Sequence, residues 1–183
     1  MSLIKRVFKS IKYRIYNKIN PKSQLEILKE KGLKVGKNLN MFNSVIDEGH
    51  CWLVEIGDDV TITNSTILAH DASMKRIIDK SKIGKVKIGN RVFIGYGSII
   101  LCNVSIGNDV IIGAGTVVSK DIPDNSIVIG NPAKIIGKTS EFEKKHKVLI
   151  KEKKVYETYW PYKTEEQIKQ IQIELVDDFG YDP

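Results

Sequence analysis

An aliphatic residue returns every six positions along the middle of the chain, and no other feature restricts the fold as tightly. Ile88, Ile94, Ile100, Ile106, Ile112 and Val118 follow one another in unbroken register. Ile56, Ile62 and Leu68 begin an earlier run, and Val35-Gly36 marks a third, shorter piece. A period of six does not match the 3.6-residue recurrence of an α-helix face, whereas extended chain returns every second residue to the same side. With the aliphatic residue as position one, position five lies on its face. It reads Val60, Thr66, Ala72, Val92, Ser98, Val104, Val110, Thr116 and Ile122, small or β-branched types that suit packed strands. Position three reads Asp58, Asn64, His70, Asn90, Tyr96, Cys102, Asn108, Ala114 and Lys120. These mostly polar side chains cannot all be buried without partners. The chain therefore turns once per repeat and leaves position three outside at a corner. Gly at position two and Asn or Asp near the corner are expected to supply the backbone freedom.

Three short strands and three corners make one triangular coil of about eighteen residues, and stacked coils bury a column of Ile and Val. The expected architecture is an all-β parallel β-helix with helical segments at both ends. The expected division is an N-terminal helical segment over residues 1–32, a β-helix over 33–137 with a loop at 73–87, and a helical extension over 138–183. Residues 3–17 carry Ile4, Val7, Phe8, Ile11 and Ile15 at helical spacing among cations. That pattern suits a helix packed on the coils or a neighbouring subunit, or a basic amphipathic helix in peripheral contact with anionic membrane. A second short helix is expected over Ser23 to Lys31. Thr164-Glu165-Glu166-Gln167 has the form of a capping box that opens a helix carrying Ile168, Ile171 and Leu175. Insertions in a solenoid become loops on one face, often the binding face. Here they fall at Asp47 to Val54 and Ser73 to Lys87.

The 183 residues carry a formal net charge of +7, with much of the excess in the N-terminal segment and the run Lys144 to Lys154. No nucleic-acid motif accompanies it, so no nucleic-acid partner is expected. Cys51 and Cys102 form no CxxC or Cys/His pair, so no disulfide framework and no metal site is expected. With no uninterrupted apolar stretch at the N-terminus, the expected location is cytoplasmic, with the inner face of the membrane as an added site for the basic helix.

His70 is the candidate for chemistry. It stands at a corner that needs no histidine for packing, directly before the longer insertion, and a neutral imidazole there could take a proton from an attacking hydroxyl. Asp71 is one candidate to orient it, although adjacent side chains in extended chain point apart; a backbone carbonyl or another carboxylate is the alternative. Asp47, Glu48, His50 and Trp52 form a polar-aromatic insert suited to a sugar ring or to a local turn.

The hexads, Leu68-Ala69-His70-Asp71-Ala72-Ser73, the stretch Ile112 to Pro123 and Gly130-Asn131-Pro132-Ala133-Lys134 together resemble the hexapeptide-repeat acyltransferases. The closest likeness is to the maltose and galactoside O-acetyltransferases and to those of surface-polysaccharide clusters, over roughly Val35 to Ile136. The resemblance implies a left-handed β-helix, a homotrimer with active sites between subunits, acetyl-CoA as co-substrate and His70 as general base. It implies cofactor contacts at Ala114, Ser119, Lys120 and Lys134, with Ser119 a mild departure from the usual Thr. Tyr96 is a larger departure from the small residue common there, placed to narrow the thioester channel or reach a neighbouring subunit. It implies acceptor contacts near Asn40 and Asn43, with Asp47, His50, Trp52 and Asp71 as further acceptor-side candidates. The expected function is acetyl-CoA-dependent O-acetylation of a sugar hydroxyl in capsule or O-antigen synthesis. Rival readings are a sugar N-acetyltransferase, a γ-type carbonic anhydrase needing three zinc-binding histidines across an interface, and a non-enzymatic scaffold.

Overall fold

The computed structural model describes residues 22–183; the helix expected over residues 3–17 lies outside them. The chain divides into two compact units, the second being Gly137–Pro183. Among the described residues, no helix is long and apolar enough to cross a membrane.

The first unit is a stack of coils whose strands form three parallel sheets. One face carries Lys34–Val35, Val54–Ile56, Val86–Ile88 and Val104–Ile106 in that spatial order. The second carries Asn40–Phe42, Thr61–Thr63, Phe93–Ile94, Ile111–Ile112 and Ile127–Ile129, ending with Lys134–Gly137. The third carries Val45–Ile46, Thr66–Ile67, Ile99–Ile100 and Val117–Val118. The pairings Ile88 with Ile106, Ile94 with Ile112 and Ile100 with Val118 set the aliphatic spine in register. All six of these residues are buried. Burial of such side chains against one another, about 1.5–3 kcal/mol each, is the main force holding one coil on the next.

The corners are taken differently from the sequence expectation. Left-handed backbone falls on position four, at Asn38, Asp59, Arg91 and Asp109, each with φ between 53 and 57°. Glycine at position two serves close approach instead: a Cβ on Gly89 would sit 2.5 Å from the Gly107 carbonyl oxygen. A ladder of side-chain oxygens ties this corner from coil to coil. Lys37 N–H donates to Asp58 Oδ1 at 2.6 Å, Asp58 N–H to Asn90 Oδ1 at 2.8 Å, Asn90 N–H to Asn108 Oδ1 at 2.9 Å, and Asn108 N–H to Asp124 Oδ1 at 2.7 Å.

A second ladder explains the buried hydroxyls. Ser65 Oγ donates to the Gly95 carbonyl at 2.9 Å and accepts from Ser98 N–H at 3.1 Å. Ser98 Oγ donates to the Gly113 carbonyl at 3.0 Å and accepts from Thr116 N–H at 3.3 Å. Each hydroxyl satisfies backbone groups that the corner would otherwise leave buried without partners.

The register differs from expectation in one coil. Ile67, not Leu68, occupies the spine, pairing with Ile46 and Ile100, and Ser65 rather than Thr66 is buried below it. The lower coils pass this corner with one left-handed residue, Asn43 or Asn64, whereas the upper ones place an extra residue, Tyr96 or Ala114, before the left-handed Gly97 or Gly115. The edge from Ile62 to the spine is therefore one residue shorter, and His70 moves one place past position three. The loop also differs from an irregular 73–87. His70–Asp71 pairs antiparallel with Lys82–Ile83, a helical turn Lys75–Ile78 lies in the exposed tip, and Val86 is already buried in the first face.

A short helix, Gln24–Glu30, precedes the first coil strand, opened by a capping box of Ser23 and Glu26. In the second unit, Thr139–Leu149 and Glu165–Glu174 are helical, and Thr164 and Gln167 complete the second helix's capping box. Residues Val155 and Tyr181 form an isolated parallel bridge within that unit.

Candidate active site

His70 gains its position from the stem of the excursion. Its strand pairing with Ile83 and the bond from Gly84 N–H to the Ala69 carbonyl, 3.0 Å, fix the backbone on both sides. Ala69 is fully buried while His70 is half-exposed, so the imidazole leaves the spine and lines the cleft.

The residue that orients it is Asp47. The Asp47 carboxylate Oδ2 accepts a short hydrogen bond from His70 Nδ1 and a second from Ala69 N–H at 3.1 Å. Its side chain is only 4% exposed. Burial by itself would push this carboxyl up. The hydrogen bonds from His70 and Ala69 N–H, with the charges of His70 and His50, outweigh it and hold Asp47 below the ordinary aspartate value. An ionised carboxylate can only accept, so the His70 proton sits on Nδ1 and the Nε2 lone pair is left free. Asp71 does not take part in this orientation. Its Oδ1 accepts from Ser73 N–H at 2.8 Å, and that bond holds its carboxyl below the ordinary value.

Asp47 was grouped on the acceptor side by the sequence; the structure buries it beneath His70. His50, grouped with it, stacks on His70 with ring centroids 4.7 Å apart. Its Nδ1 stands 3.5 Å from Asp47 Oδ2 and is a buried atom without a hydrogen-bond partner. Trp52 is half-exposed on the turn Cys51–Leu53, its ring 6.2 Å from that of His50. His146 lies in the second unit, where Nδ1 meets the Tyr181 hydroxyl at 2.8 Å.

His70 lines a cleft of about 530 Å³ with Leu68, Asp71, Ala72, Lys82, Leu101, Cys102 and Ser119. Of the five residues expected at the cofactor, Ser119 alone lines it. Tyr96 and Ala114 stand exposed at the corner between the second and third faces, stacked one above the other, with Gly115 N–H donating to the Tyr96 carbonyl at 2.8 Å. Asn43, also exposed, occupies that same corner lower down. Asn40 is exposed on the second face, and Lys120 and Lys134 are exposed. The sequence reading missed Leu68, Leu101, Cys102 and Lys82 as cleft walls. The signal was coil addition: Ile67 pairs with Ile100, and Ile100 with Val118, which carries the neighbourhood of His70 to Cys102 and Ser119.

Residues 85–120 match the family described as bacterial transferase hexapeptide (six repeats). Protein CapG of Staphylococcus aureus is 46% identical over 118 residues, which are 57% of this chain and 69% of CapG. A maltose O-acetyltransferase from Clostridium difficile 630 superposes with a TM-score of 0.52 at 29% identity, over 70% of this chain and 87% of its own. A galactoside acetyltransferase in complex with coenzyme A gives a TM-score of 0.52 at 26% identity, over 73% and 80%. The stacked hexads, the cleft beside the oriented imidazole and these likenesses agree: the chain belongs to the bacterial hexapeptide-repeat transferases and is an acyltransferase.

Proposed function

We propose that the chain is an acetyl-CoA-dependent O-acetyltransferase acting on a sugar hydroxyl of a surface polysaccharide, working as a trimer of left-handed β-helices in the cytoplasm. The single observation that carries the proposal is the Asp47–His70 pair at the cleft. Asp47 holds the proton on Nδ1, and Nε2 accepts the proton of the acceptor hydroxyl as its oxygen attacks the acetyl carbonyl. The C–S bond of the thioester then breaks, and His70 returns the proton to the departing thiolate. Holding both substrates in one cleft makes a covalent acyl-enzyme unnecessary. Leu68, Leu101 and Cys102 supply an apolar wall suited to a pantetheine arm.

The trimer and shared sites have their own support. Tyr96 and Ala114 lie at a different corner from His70, so one chain does not gather the expected site residues around its own cleft. The third face also turns exposed Val45 and Ile99 outward, and Phe42 and Phe93 are exposed on the second. Covering such rows on a neighbouring copy is favourable by roughly 25 cal/mol per Å² of apolar surface. The sugar acceptor rests on the likeness to the maltose and galactoside enzymes.

An acceptor screen with labelled acetyl-CoA tests the reading. Neutral hexoses and polysaccharide fragments, amino sugars, and L-serine are compared by transfer and CoA release. The proposal expects ester products on sugar hydroxyls. Amide products on amino sugars, or transfer to serine alone, would contradict it.

A further inference from the structure

We propose that Asp47, His50 and His70 form a binding site for a divalent transition-metal ion of the zinc class, and that the bound ion switches the base off. Each of the three residues offers one ligand atom, and these atoms all lie within 4.8 Å of one another; Asp47 Oδ2 faces Nδ1 of both His50 and His70. Bonds of about 2.0–2.2 Å around a tetrahedral ion put neighbouring ligand atoms about 3.4 Å apart. The 3.5 Å between His50 Nδ1 and Asp47 Oδ2 already meets that spacing. Asp47 and His70 stand closer because they share a proton, and the ion takes that proton's place. Two imidazoles with one carboxylate suit zinc over magnesium or calcium, which prefer all-oxygen sets.

His50 gives the independent observation. Its Nδ1 is buried with no hydrogen-bond partner, 3.5 Å from the carboxylate oxygen that holds His70. Spare binding capacity of that kind is costly unless something engages it. A sugar-stacking role for His50 would leave this nitrogen unused, whereas a metal ion uses it.

The consequence follows from the tautomer. When an ion binds, the Nδ1 proton of His70 leaves to solvent, Nδ1 donates its lone pair to the metal, and Nε2 takes up a proton from solvent, so the ring stays neutral overall. The nitrogen facing the cleft then carries a proton and can no longer accept one from the acceptor. Transfer stops, and removal of the ion lets Nδ1 be protonated again. This second half rests on the assignment of His70 as the base; the binding half does not.

The test uses the tag-free full-length chain, stripped with chelator and titrated with ZnCl₂ against a chromogenic zinc indicator. One ion per chain is expected. His50→Gln and Asp47→Asn should each weaken binding by more than the roughly tenfold that losing an outer-shell partner costs, at unchanged far-UV circular dichroism. Co²⁺ in place of Zn²⁺ should give a visible d–d band in the wild-type chain, absent in both variants. Zinc should suppress acetyl transfer by the wild-type chain, and EDTA should restore it. Absence of stoichiometric binding, or affinity in both variants equal to that of the wild-type chain, overturns the site. Stoichiometric binding with undiminished transfer overturns the switch, whereas turnover close to wild type in His70→Ala, measured without zinc, overturns the role of His70 as base.

Discussion

Asp47 and His70 lie twenty-three residues apart in sequence, yet the Asp47 carboxylate accepts the hydrogen bond of the His70 Nδ1 proton. The coil brings them together, since the spine residues beside them, Ile46 and Ile67, are paired strand to strand. The pair makes His70 a base with a fixed tautomer instead of an exposed imidazole free to rotate.

Asp47→Asn keeps the size of the side chain but no longer enforces the Nδ1–H tautomer. A positioned general base contributes about 10²–10⁴-fold, so kcat should fall by roughly 10²-fold or more with little change in acceptor KM. If Asp47 instead bound the acceptor, as its place in the polar insert suggested, the same substitution would raise KM at nearly constant kcat. Steady-state kinetics with the acceptor varied separates the two.

The same carboxyl makes an acid-stability prediction. Its value in the folded chain is lowered. Its contribution is therefore fully present above the unfolded aspartate value of about 4, and is lost as pH falls through the folded value. Melting curves from neutral pH into acid should show the wild-type chain losing more of its Tm than Asp47→Asn does. Parallel curves would mean that Asp47 is not held ionised by His70.

Glycines in the coils separate into two kinds with different costs. A Cβ on Gly89 meets the stacked backbone of Gly107 at 2.5 Å, whereas one on Gly97 meets nothing within 4 Å but requires φ of +72°. Gly89→Ala should cost about 3 kcal/mol, the upper part of the overpacking range, and Gly97→Ala about 1 kcal/mol for left-handed backbone. Urea unfolding of both variants ranks them, and the reverse order would contradict the close-approach role of position two.

Lys134 is exposed on the last strand of the second face, free to meet the phosphates of a nucleotide cofactor by Coulomb attraction. Lys134→Glu should raise the apparent KM for acetyl-CoA more than that for acceptor. An unchanged donor KM would remove Lys134 from the cofactor site.

Much of the fold was legible because a buried column repeats its own pattern: Ile88 to Val118 announce the spine without help from any other element. The slip at Ile67 was not legible. Thr66-Ile67-Leu68 puts two aliphatic residues side by side, and a six-residue count selects the wrong one unless the shorter corner at Asn64 is known. His70 could be found because it is a corner histidine beside an insertion. Its partner could not, because Asp47 meets it only through the stacking of two coils, whose offset is altered by the insertion at 47–54 itself. Cys102 and Leu101 escaped for the same reason, since their place in the cleft depends on which residue of the next coil lies above His70.

The most direct test of the account is acetyl transfer by His70→Ala, measured beside coenzyme A affinity and oligomeric state. The account predicts loss of kcat by roughly 10²–10⁴-fold, with coenzyme A binding and assembly nearly as in the wild-type chain. Turnover close to wild type in a correctly assembled variant would contradict it.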